Sequence, residues 1–499
     1  MATGSINISS NISRSTLLES FPPSEPAAKF RAISINNSIE LMWEDPDDYT
    51  LADSTTIKWS YTRIVRKTGS YPINECDGTV IIESSVKNQY KTTPFVDTGL
   101  TNGTEYYYAA FTCNTYGVFN RKPIHTSGTP IQYRIMTVNI NLKNSNPSTC
   151  GSYADNANEM HGGKSASEWK DFFGYKPCLF KNGTVVGYLN PDDYTKFEDG
   201  SSADITSGNA GDVMIQFPRR GLKISKANNI LTVSMTDNPN DTNFTYYAHQ
   251  RGSTNKDYFY IGAYLAYSNI TSVRSLSGKS PFTNSSPYSL SYMYGVAVKS
   301  GTGYGLMSFY QYVFIQAMYI LQYRGNCDSQ RQHGKGMCGG ASHNTGSGDQ
   351  SGVMFGDTSK EGKPLKLFGI EDLWGNLEQI LNGITITYPN CDIYTTTDDR
   401  ITDMSKYENI GRCGSADGFN GYMNECVGNN KFGFLPIYNG TKGSGSTYFC
   451  DRVNINCDYS TAGFLIGGFW SAADEYGIFY CKVEDQYIET GEGIRLQYL

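Results

Sequence analysis

The chain has 499 residues, a formal net charge of −7, and 38 Tyr against only 5 His. This length is too great for one hydrophobic core and predicts two to four domains. The acidic balance, with no run of Lys and Arg longer than a pair, argues against nucleic acid as a partner, because phosphate contacts need a basic surface.

Residues 1–21 are polar and rich in Ser and Asn, and they are expected to form an arm or connector. They lack a basic stretch followed by an apolar one, so no secretory signal peptide is predicted. The uncharged segment 306–323 carries Gln311, Gln316 and Gln322, which a bilayer span would have to bury, so no membrane insertion is expected. The sequence therefore predicts a protein that is made in the cytoplasm.

The segment 22–130 has the pattern of a β-sandwich. Short runs in which apolar and polar residues alternate, such as the one around Trp43, are separated by turn-forming residues. Leu100 lies six residues before Tyr106, a spacing that matches the tyrosine corner of sandwich domains. In that corner a Tyr hydroxyl ties the connection between the two sheets to nearby backbone.

The Trp43 strand, the strand RIVRKTG and the Leu100/Tyr106 pair together resemble a fibronectin type III domain. The string VRKTGSYP, followed later by DTGLTNGTEYYY, is similar to such modules in tail proteins of phages that infect Gram-positive bacteria. The resemblance implies that this domain serves as a spacer.

From residue 131 onward the pattern changes to a mixture of helices and strands. The segment 165–174 predicts a first helix, with Ser165 as its N-cap and Glu168 three residues later. One face of this helix is expected to be aromatic: Trp169, Phe172 and Phe173. The segment 306–323 has the i, i+3, i+4 apolar spacing of a longer helix, which Gly325 is expected to end.

The remainder of 131–499 alternates β-like runs with long stretches rich in Gly, Ser and Asn. The sequence leaves the fold of 180–300 open, with an inserted subdomain as one alternative. Long irregular loops are uncommon in compact domains unless they carry function. A C-type-lectin fold tolerates them, because it combines two helices and a small sheet with packed loops.

Two stretches resemble the formylglycine-generating-enzyme subclass of C-type-lectin-like folds. GIEDLWGNLEQILNGI, at 369–384, contains its D-x-x-G-N-x-x-E element, and GGFWSAADEYGIFY, at 467–480, contains its GGxW element before a closing GIRL. Structural positions implied by the resemblance are Asp372, Trp374, Gly375, Asn376, Glu378, Gly467, Gly468 and Arg495. The polar members are expected to satisfy internal groups, with Arg495 facing either solvent or a buried carboxylate.

Phage tail proteins and the variable proteins of diversity-generating retroelements share this ending. The resemblance implies an α+β C-type-lectin-like domain over 131–499, with ligand contacts on its last strands and the loop between them. Exposed ligand-contacting positions that it implies are Trp470, Ser471, Ala473, Asp474, Glu475, Tyr476, Phe479 and Tyr480. Trp and Tyr stack on sugars or fill pockets, and carboxylates accept hydrogen bonds from hydroxyls.

Formylglycine-generating enzymes use a cysteine pair close to the strand that carries the glycine motif. Here the first Cys after Gly468 is Cys481, whereas Cys450 and Cys457 precede the motif. The catalytic pair is therefore missing from its expected place, and the sequence predicts a protein that is not an enzyme.

No cofactor and no metal are predicted. The acidic turns 45–48 and 190–193 are typical of solvated loops rather than calcium sites. The spacing of Cys327, His333 and Cys338 fits no familiar zinc site. Three disulfide pairs have short spacing, while synthesis in the cytoplasm favours buried free thiols, and both alternatives stay open: Cys327/Cys338, Cys413/Cys426 and Cys450/Cys457.

These features together predict a non-enzymatic receptor-binding adhesin of a phage tail, located on the virion as a tail fibre or baseplate tip. Its expected partners are a bacterial surface glycan or protein and other tail or baseplate proteins. The protein is expected to form a homotrimer, because multivalency strengthens binding when the affinity of a single site is weak. The alternative hypothesis is a structural tail or baseplate component whose lectin-like domain packs against neighbouring subunits.

Overall fold

In the computed structural model the chain forms two compact units, Met1–Tyr133 and Arg134–Leu499. The residues that the structure describes are 23–268, 271–283, 288–338, 342–387, 390–398, 400–401, 403–413, 419–437, 443–455, 462–470, 475–484, 487–488 and 491–499. The predicted arm, 1–21, lies outside the described residues. Strands far outnumber helices in the described segments, so the chain is a β-rich multidomain protein.

The N-terminal unit contains two antiparallel sheets. The first has three strands, in the order Ala28–Ile35, Ser38–Glu44 and Phe95–Thr98. The second has four strands, in the order Thr79–Ser84, Trp59–Thr68, Tyr106–Asn114 and Ile124–Gly128. A small hairpin joins Tyr49–Thr50 to Thr56–Ile57. Trp43 of the first sheet and Tyr108 of the second lie in one buried cluster, so the two sheets pack as a sandwich.

The predicted tyrosine corner is confirmed. The hydroxyl of Tyr106 accepts a hydrogen bond from the backbone N–H of Thr101 at 3.1 Å, and Leu100 is buried in the same apolar cluster. The acidic turn at 45–48 is tied into the sandwich, because Asp45 accepts a hydrogen bond from the indole N–H of Trp43 at 2.9 Å. The carboxylate at that position therefore serves the fold.

The C-terminal unit contains three larger sheets. The first has four strands, in the order Gly151–Asp155, Ile135–Asn141, Ile230–Thr236 and Gly221–Ala227. The second, named the wide sheet, has seven strands: Asp193–Phe197, Thr184–Asn190, Lys176–Lys181, Asp212–Pro218, Tyr258–Gly262, Leu496–Tyr498 and Tyr304–Leu306. The third, named the C-terminal sheet, runs in the order Glu408–Arg412, Asp392–Thr395, Glu378–Thr387, Ala462–Ile466, Cys481–Glu484, Arg452–Ile455 and Phe419–Tyr422. Its eighth strand, Glu492–Gly493, pairs in parallel with Glu378–Thr387.

Smaller elements complete the unit. Two-stranded ribbons pair Gln250–Arg251 with Thr254–Asn255, Tyr267–Ser268 with Val273–Arg274, Tyr288–Ser289 with Tyr487–Ile488, and Lys366–Leu367 with Ile370–Glu371. The α-helices are α1, Glu168–Phe173; α2, Leu290–Ala297; α3, Phe309–Gln322; and α4, Ser329–His333. Turns of 3-10 helix occupy Asn156–Glu159, Tyr247–His249, Val298–Ser300 and Met404–Lys406. Among the helices described, none has the length and apolar character needed to cross a bilayer.

The β-like runs predicted between 180 and 300 do form strands, but they are not a separate subdomain. In the wide sheet, Tyr258–Gly262 pairs with Leu496–Tyr498 at the chain terminus. That terminal strand pairs in turn with Tyr304–Leu306. The middle and the end of this unit therefore share one sheet and fold together.

Helix α3 is the centre of the C-terminal unit. All fourteen of its residues are buried, including the three polar side chains of Gln311, Gln316 and Gln322. It contacts Ile230–Thr236 of the four-stranded sheet and Glu378–Thr387 of the C-terminal sheet. Gly325 has a positive φ of 74°, and its N–H bonds to Ile320 O at 2.8 Å, which confirms the predicted helix end.

Two predicted helix starts are wrong by a few residues. Helix α3 begins after Ser308, because the Ser308 hydroxyl and the Gln311 amide form a capping box. The preceding Leu306 belongs to a strand. In α1 the N-cap is Ser167 instead of Ser165, because the N–H of Ala166 bonds to the carbonyl of Gly163 and closes a separate turn before the helix.

Replacing Ser308 with Ala should lower the unfolding free energy of the C-terminal unit by about 1 kcal/mol, because the first turn of α3 loses its side-chain acceptor. Ser308→Thr keeps that acceptor and serves as the matched control. Urea unfolding followed by far-ultraviolet circular dichroism measures both variants. Equal stability of the Ala variant and the wild type would contradict the assigned capping role.

Candidate functional site

The two sequence motifs of the C-terminal unit meet in space. The strand Glu378–Thr387, which begins within the first motif, pairs antiparallel with Ala462–Ile466, which precedes the glycines of the second. The turns before and after these strands are also joined, since the N–H of Gly375 donates to the carbonyl of Gly467 at 2.9 Å. The motifs therefore build one local structure although some ninety residues separate them.

Arg495 joins this structure to the wide sheet. The side chain is fully buried, and its Nε donates to Gln379 Oε1 at 2.8 Å. Its remaining donors reach three backbone carbonyls: Gly262 at 3.0 Å, Glu371 at 2.8 Å and Asp372 at 3.1 Å. Of the two expected surroundings, solvent is wrong, because Arg495 is fully buried and main-chain oxygens and an amide take its hydrogen bonds. Buried carboxyl groups do lie near it, since Asp372 and Glu371 oppose the lowering of its pKa by burial.

Asp372 and Asn376 shape the turn between these partners. Asp372 has a positive φ of 52°, which is uncommon for a residue with a Cβ, and its Oδ2 accepts from the Asn376 amide at 2.9 Å. Burial raises the pKa of Asp372, while Asn376 and the nearby Arg495 act against that rise. Trp374, also fully buried, donates from its indole N–H to the carbonyl of Gly334 at 2.9 Å. The first motif is thus structural, as expected.

The glycines of the motifs allow close packing of backbone and rings. Gly375 has a φ of 94°, and a Cβ there would lie 2.9 Å from the carbonyl oxygen of Lys335. A Cβ on Gly467 would collide with the carbonyl of Leu373, and one on Gly468 would collide with the ring of Tyr476. Both positions therefore require Gly.

A row of aromatic rings follows these glycines. Trp470 meets Phe469 edge to face at 5.5 Å between ring centroids, and Phe469 stacks on Tyr476 at 5.8 Å. Tyr476 in turn meets Tyr480 at 4.5 Å. Phe469 and Trp470 are half-buried, whereas Tyr476 and Tyr480 are buried, so the row runs from the surface into the core.

At its inner end this row reaches a cluster of charges. Tyr480 donates its hydroxyl to Glu378 Oε1 at 2.6 Å. Carboxylate oxygens of Glu378, Glu484 and Glu492 lie within 4.8 Å of one another, an arrangement that can hold a cation. The ammonium of Lys482 supplies positive charge there, 3.5 Å from Glu378 Oε2 and paired with Glu484. We name the aromatic row together with this charge cluster the Trp470 face.

The electrostatics of the cluster favour a charged lysine. Burial by itself lowers the pKa of Lys482, but Glu378, Glu484 and Glu492 outweigh burial and raise it overall. Burial raises the pKa of Glu378, and the ammonium of Lys482 and the hydroxyl of Tyr480 oppose that rise. Lys482 therefore partly neutralises the buried carboxylate of Glu378, which would otherwise be costly to bury.

The predicted ligand-contacting residues separate into three groups. Ser471, Ala473 and Asp474 lie outside the described residues. Trp470 and Glu475 are partly exposed, and Glu475 pairs with Arg452 at 2.8 Å. The expected exposure of the last three residues is wrong, because only small fractions of their surfaces are accessible: Tyr476 8%, Phe479 3% and Tyr480 4%.

The reason for this burial is Asp451, a residue that the sequence reasoning missed. Its carboxylate is fully buried and accepts hydrogen bonds from the N–H of Phe479 at 2.8 Å and from the Gln330 amide at 2.9 Å. Tyr312 and Gln316 of α3 both donate to the carbonyl of Ile478. The loop is thereby held against α3 with its rings inward.

At the three closely spaced cysteine pairs, the structure has free thiols where disulfides were the alternative. Five of the six residues in those pairs are free thiols in the structure: Cys327, Cys338, Cys413, Cys426 and Cys450. None of the three proposed pairs therefore forms. Cys391 is disulfide-bonded, which the spacing did not indicate.

His333 is a structural residue of α4 and has no nitrogen left for a metal. It lies buried beside Trp374, with Nε2 donating to the carbonyl of Lys366 at 2.8 Å. Because the carbonyl can only accept, the other nitrogen, Nδ1, accepts from the hydroxyl of Tyr323, also at 2.8 Å. Burial lowers the pKa of His333 to about 4.

Comparison with known proteins gives no relative: no protein-family model matches the chain, and no curated protein is significantly similar to it. The resemblances described above therefore rest on the residues that carry them.

Arg495→Lys should lower the unfolding free energy of the C-terminal unit by about 3 kcal/mol, because an ammonium cannot reach all four acceptors of the guanidinium. Arg331→Lys, at a side chain that is 69% exposed, is the control and should change it little. Guanidinium chloride unfolding monitored by tryptophan fluorescence compares them. Equal effects of the two substitutions would contradict the joining role of Arg495.

The neutral, buried His333 should make the C-terminal unit less stable at acid pH. Its pKa is about 4 in the folded chain, against an ordinary value of about 6.5, so between these pH values the unfolded chain binds a proton that the folded chain excludes. From pH 7 to pH 5 this imbalance costs about 2 kcal/mol of stability.

His333→Gln keeps one donor and one acceptor and should lose about 2 kcal/mol less stability than the wild type between pH 7 and pH 5, as measured by urea unfolding at both pH values. The buried His249, whose pKa is lowered to about 3, contributes equally to both proteins. His343→Gln, at an exposed position, is the matched control. If His333→Gln loses as much stability as the wild type on acidification, the assignment of a buried neutral imidazole is wrong.

Proposed function

We propose that the protein is a non-enzymatic receptor-binding adhesin of a phage tail, in which a C-type-lectin-like C-terminal unit recognises a bacterial surface glycan or protein. A fibronectin type III-like N-terminal unit serves as its spacer. The observation that carries this proposal is the meeting of the two lectin-like motifs around Arg495, which places the half-buried Trp470 on a fixed scaffold.

The N-terminal unit is compatible with the spacer role. Its three strands packed on four, together with the tyrosine corner at Tyr106, support the fibronectin type III-like assignment. Such a sandwich has its own core, built around Trp43, and needs no ligand to fold. We propose that this N-terminal unit attaches the protein to other tail or baseplate proteins.

The outer end of the Trp470 face has the chemistry of a recognition surface. The partly exposed Trp470 offers a flat apolar face, and Glu475 and Arg452 beside the same loop offer hydrogen-bonding groups at the surface. The inward loop 475–480 fixes the position of this surface, because Asp451 and α3 hold its backbone. A preorganised aromatic anchor reduces the entropic cost of binding.

The cysteine chemistry supports a binding protein over an oxidase. Burial raises the pKa of the Cys450 and Cys481 thiols well above their ordinary value. Thiol oxidation and nucleophilic attack require the thiolate, which is suppressed under these conditions. Neither residue therefore offers the reactive thiol on which formylglycine-generating chemistry depends.

Saturable binding of the labelled full-length protein to bacterial cells tests the proposal. Across a panel of strains that includes Gram-positive hosts, we expect some to bind, and Trp470→Ala to weaken that binding by about tenfold or more, as for an interface anchor. Tyr258→Ala, at another exposed aromatic residue of the same unit, is the matched control and should bind like the wild type.

Two further readouts separate the alternatives. Light scattering reports the oligomeric state, for which we expect a trimer, and near-ultraviolet circular dichroism confirms that each variant is folded. Absence of binding by the folded oligomer to every strain, the host included, would overturn the adhesin and favour a structural component of the tail or baseplate.

A further inference from the structure

A second concave surface lies on the C-terminal unit, at the end of the wide sheet. It is an open pocket of about 270 Å³ between the end of the strand Lys176–Lys181 and the segments 271–274 and 299–304. Its size is close to the lower end of the range of small-molecule sites. We name it the cationic pocket, after three of its lining residues: Lys181, Arg274 and Lys299.

One cation of the pocket is fixed by the fold. The Nε of Arg274 donates to Asp212 Oδ1 at 2.9 Å, and its Nη2 donates to the carbonyl of Gly208 at 2.8 Å. Asp212 is buried and also accepts from the N–H of Ser275. Arg274 and Asp212 neutralise each other, so the pocket keeps the two positive charges of Lys181 and Lys299.

The glycines of the floor keep this arrangement open. A Cβ on Gly208 would lie 2.8 Å from Nη1 of Arg274, on the guanidinium itself. A Cβ on Gly211 would lie 2.6 Å from the carbonyl oxygen of Phe180. Both glycines also have positive φ, 78° and 130°. Larger residues at these positions are therefore disfavoured by the backbone conformation as well as by the lack of space.

Several donors around the pocket are unused within the described part of the chain. The Lys299 ammonium, the Asn182 amide and the Ser300 hydroxyl line the pocket, and the described residues give them no side-chain hydrogen bond or ion pair. Lys181 gives one hydrogen bond, to the carbonyl of Asn209 at 2.7 Å, and retains two further ammonium protons. Unused donors that converge on one cavity fit an acceptor-rich ligand.

The two lysine charges of the pocket contrast with the acidic net charge of the whole chain. The protein carries a formal net charge of −7, so long-range attraction does not draw polyanions to it in general. Two lysines beside a neutral amide and a hydroxyl match an oxyanion that is linked to a polyol or sugar. A neutral sugar would leave both ammonium charges without a partner.

We propose that the cationic pocket binds an oxyanion, a phosphodiester or a carboxylate, carried by a bacterial surface polysaccharide or polyol polymer. The inference rests on the adhesin function, of which it names the receptor chemistry. The pocket is a separate subsite from the Trp470 face. Its affinity falls as salt is raised, because the lysines are solvent-exposed.

Binding of the full-length protein to three immobilised polymers tests this proposal: poly(glycerol phosphate), polygalacturonate and neutral dextran. Lys299→Glu should weaken binding to the recognised polyanion by about tenfold or more, since it places a carboxylate against the oxyanion. Lys223→Glu makes the same charge change at an exposed strand lysine away from the pocket and should weaken binding less than about twofold.

Binding to either polyanion but not to dextran, lost in Lys299→Glu and kept in Lys223→Glu, supports the proposal, and the preferred polymer identifies the phosphodiester or the carboxylate. Absence of polyanion binding at low salt, or equal weakening by both variants, overturns it.

Cell binding measured in parallel separates this inference from the adhesin function. If cells bind the wild type and Lys299→Glu equally, the pocket is not the receptor subsite although the adhesin function stands. If the polyanion binds through Lys299 while no cell does, the pocket is an anion site and the adhesin function fails.

Discussion

The C-terminal unit depends on one buried guanidinium. Arg495 bonds to a carbonyl of the wide sheet at Gly262, to Gln379 at the start of a strand of the C-terminal sheet, and to the carbonyls of the turn at Glu371 and Asp372. Burial lowers its pKa to about 10, which leaves the side chain charged at neutral pH. A buried charge without these acceptors would be strongly destabilising, so the four acceptors must be brought together for the unit to fold.

Other buried polar side chains fix the irregular segments of the unit in the same way, by hydrogen bonds to main-chain groups. The Glu371 carboxylate accepts hydrogen bonds from the N–H groups of Gly346 and Gly348, at 2.7 and 2.9 Å, and Lys366 donates to the carbonyl of Gly348 at 2.6 Å. Asp451 holds the loop 475–480 in the corresponding way. Loops that are rich in Gly are thereby given fixed positions by buried polar side chains, and a fixed scaffold for a recognition surface follows from them.

Local patterns in the sequence predicted the parts of the fold that depend on local interactions. The tyrosine corner follows from the spacing of Leu100 and Tyr106, and α3 follows from its apolar periodicity. The inward rings of Tyr476 and Tyr480 could not be predicted, since Tyr480 bonds to Glu378, 102 residues earlier. The partners of Arg495 are mostly main-chain carbonyls, which leave no signature in side-chain identity. For Asp451 the only available signal was an acidic residue between two apolar stretches, which equally fits a surface turn.

Hydroxyl-radical footprinting of the full-length protein, free and bound to cells of a strain that it recognises, tests the adhesin account most directly. The account predicts that oxidation of the half-buried Trp470 falls on binding, whereas the exposed Tyr258 and the N-terminal unit keep their reactivity. Protection that is confined to the N-terminal unit, with Trp470 unchanged, would contradict the assignment of receptor binding to the C-terminal unit.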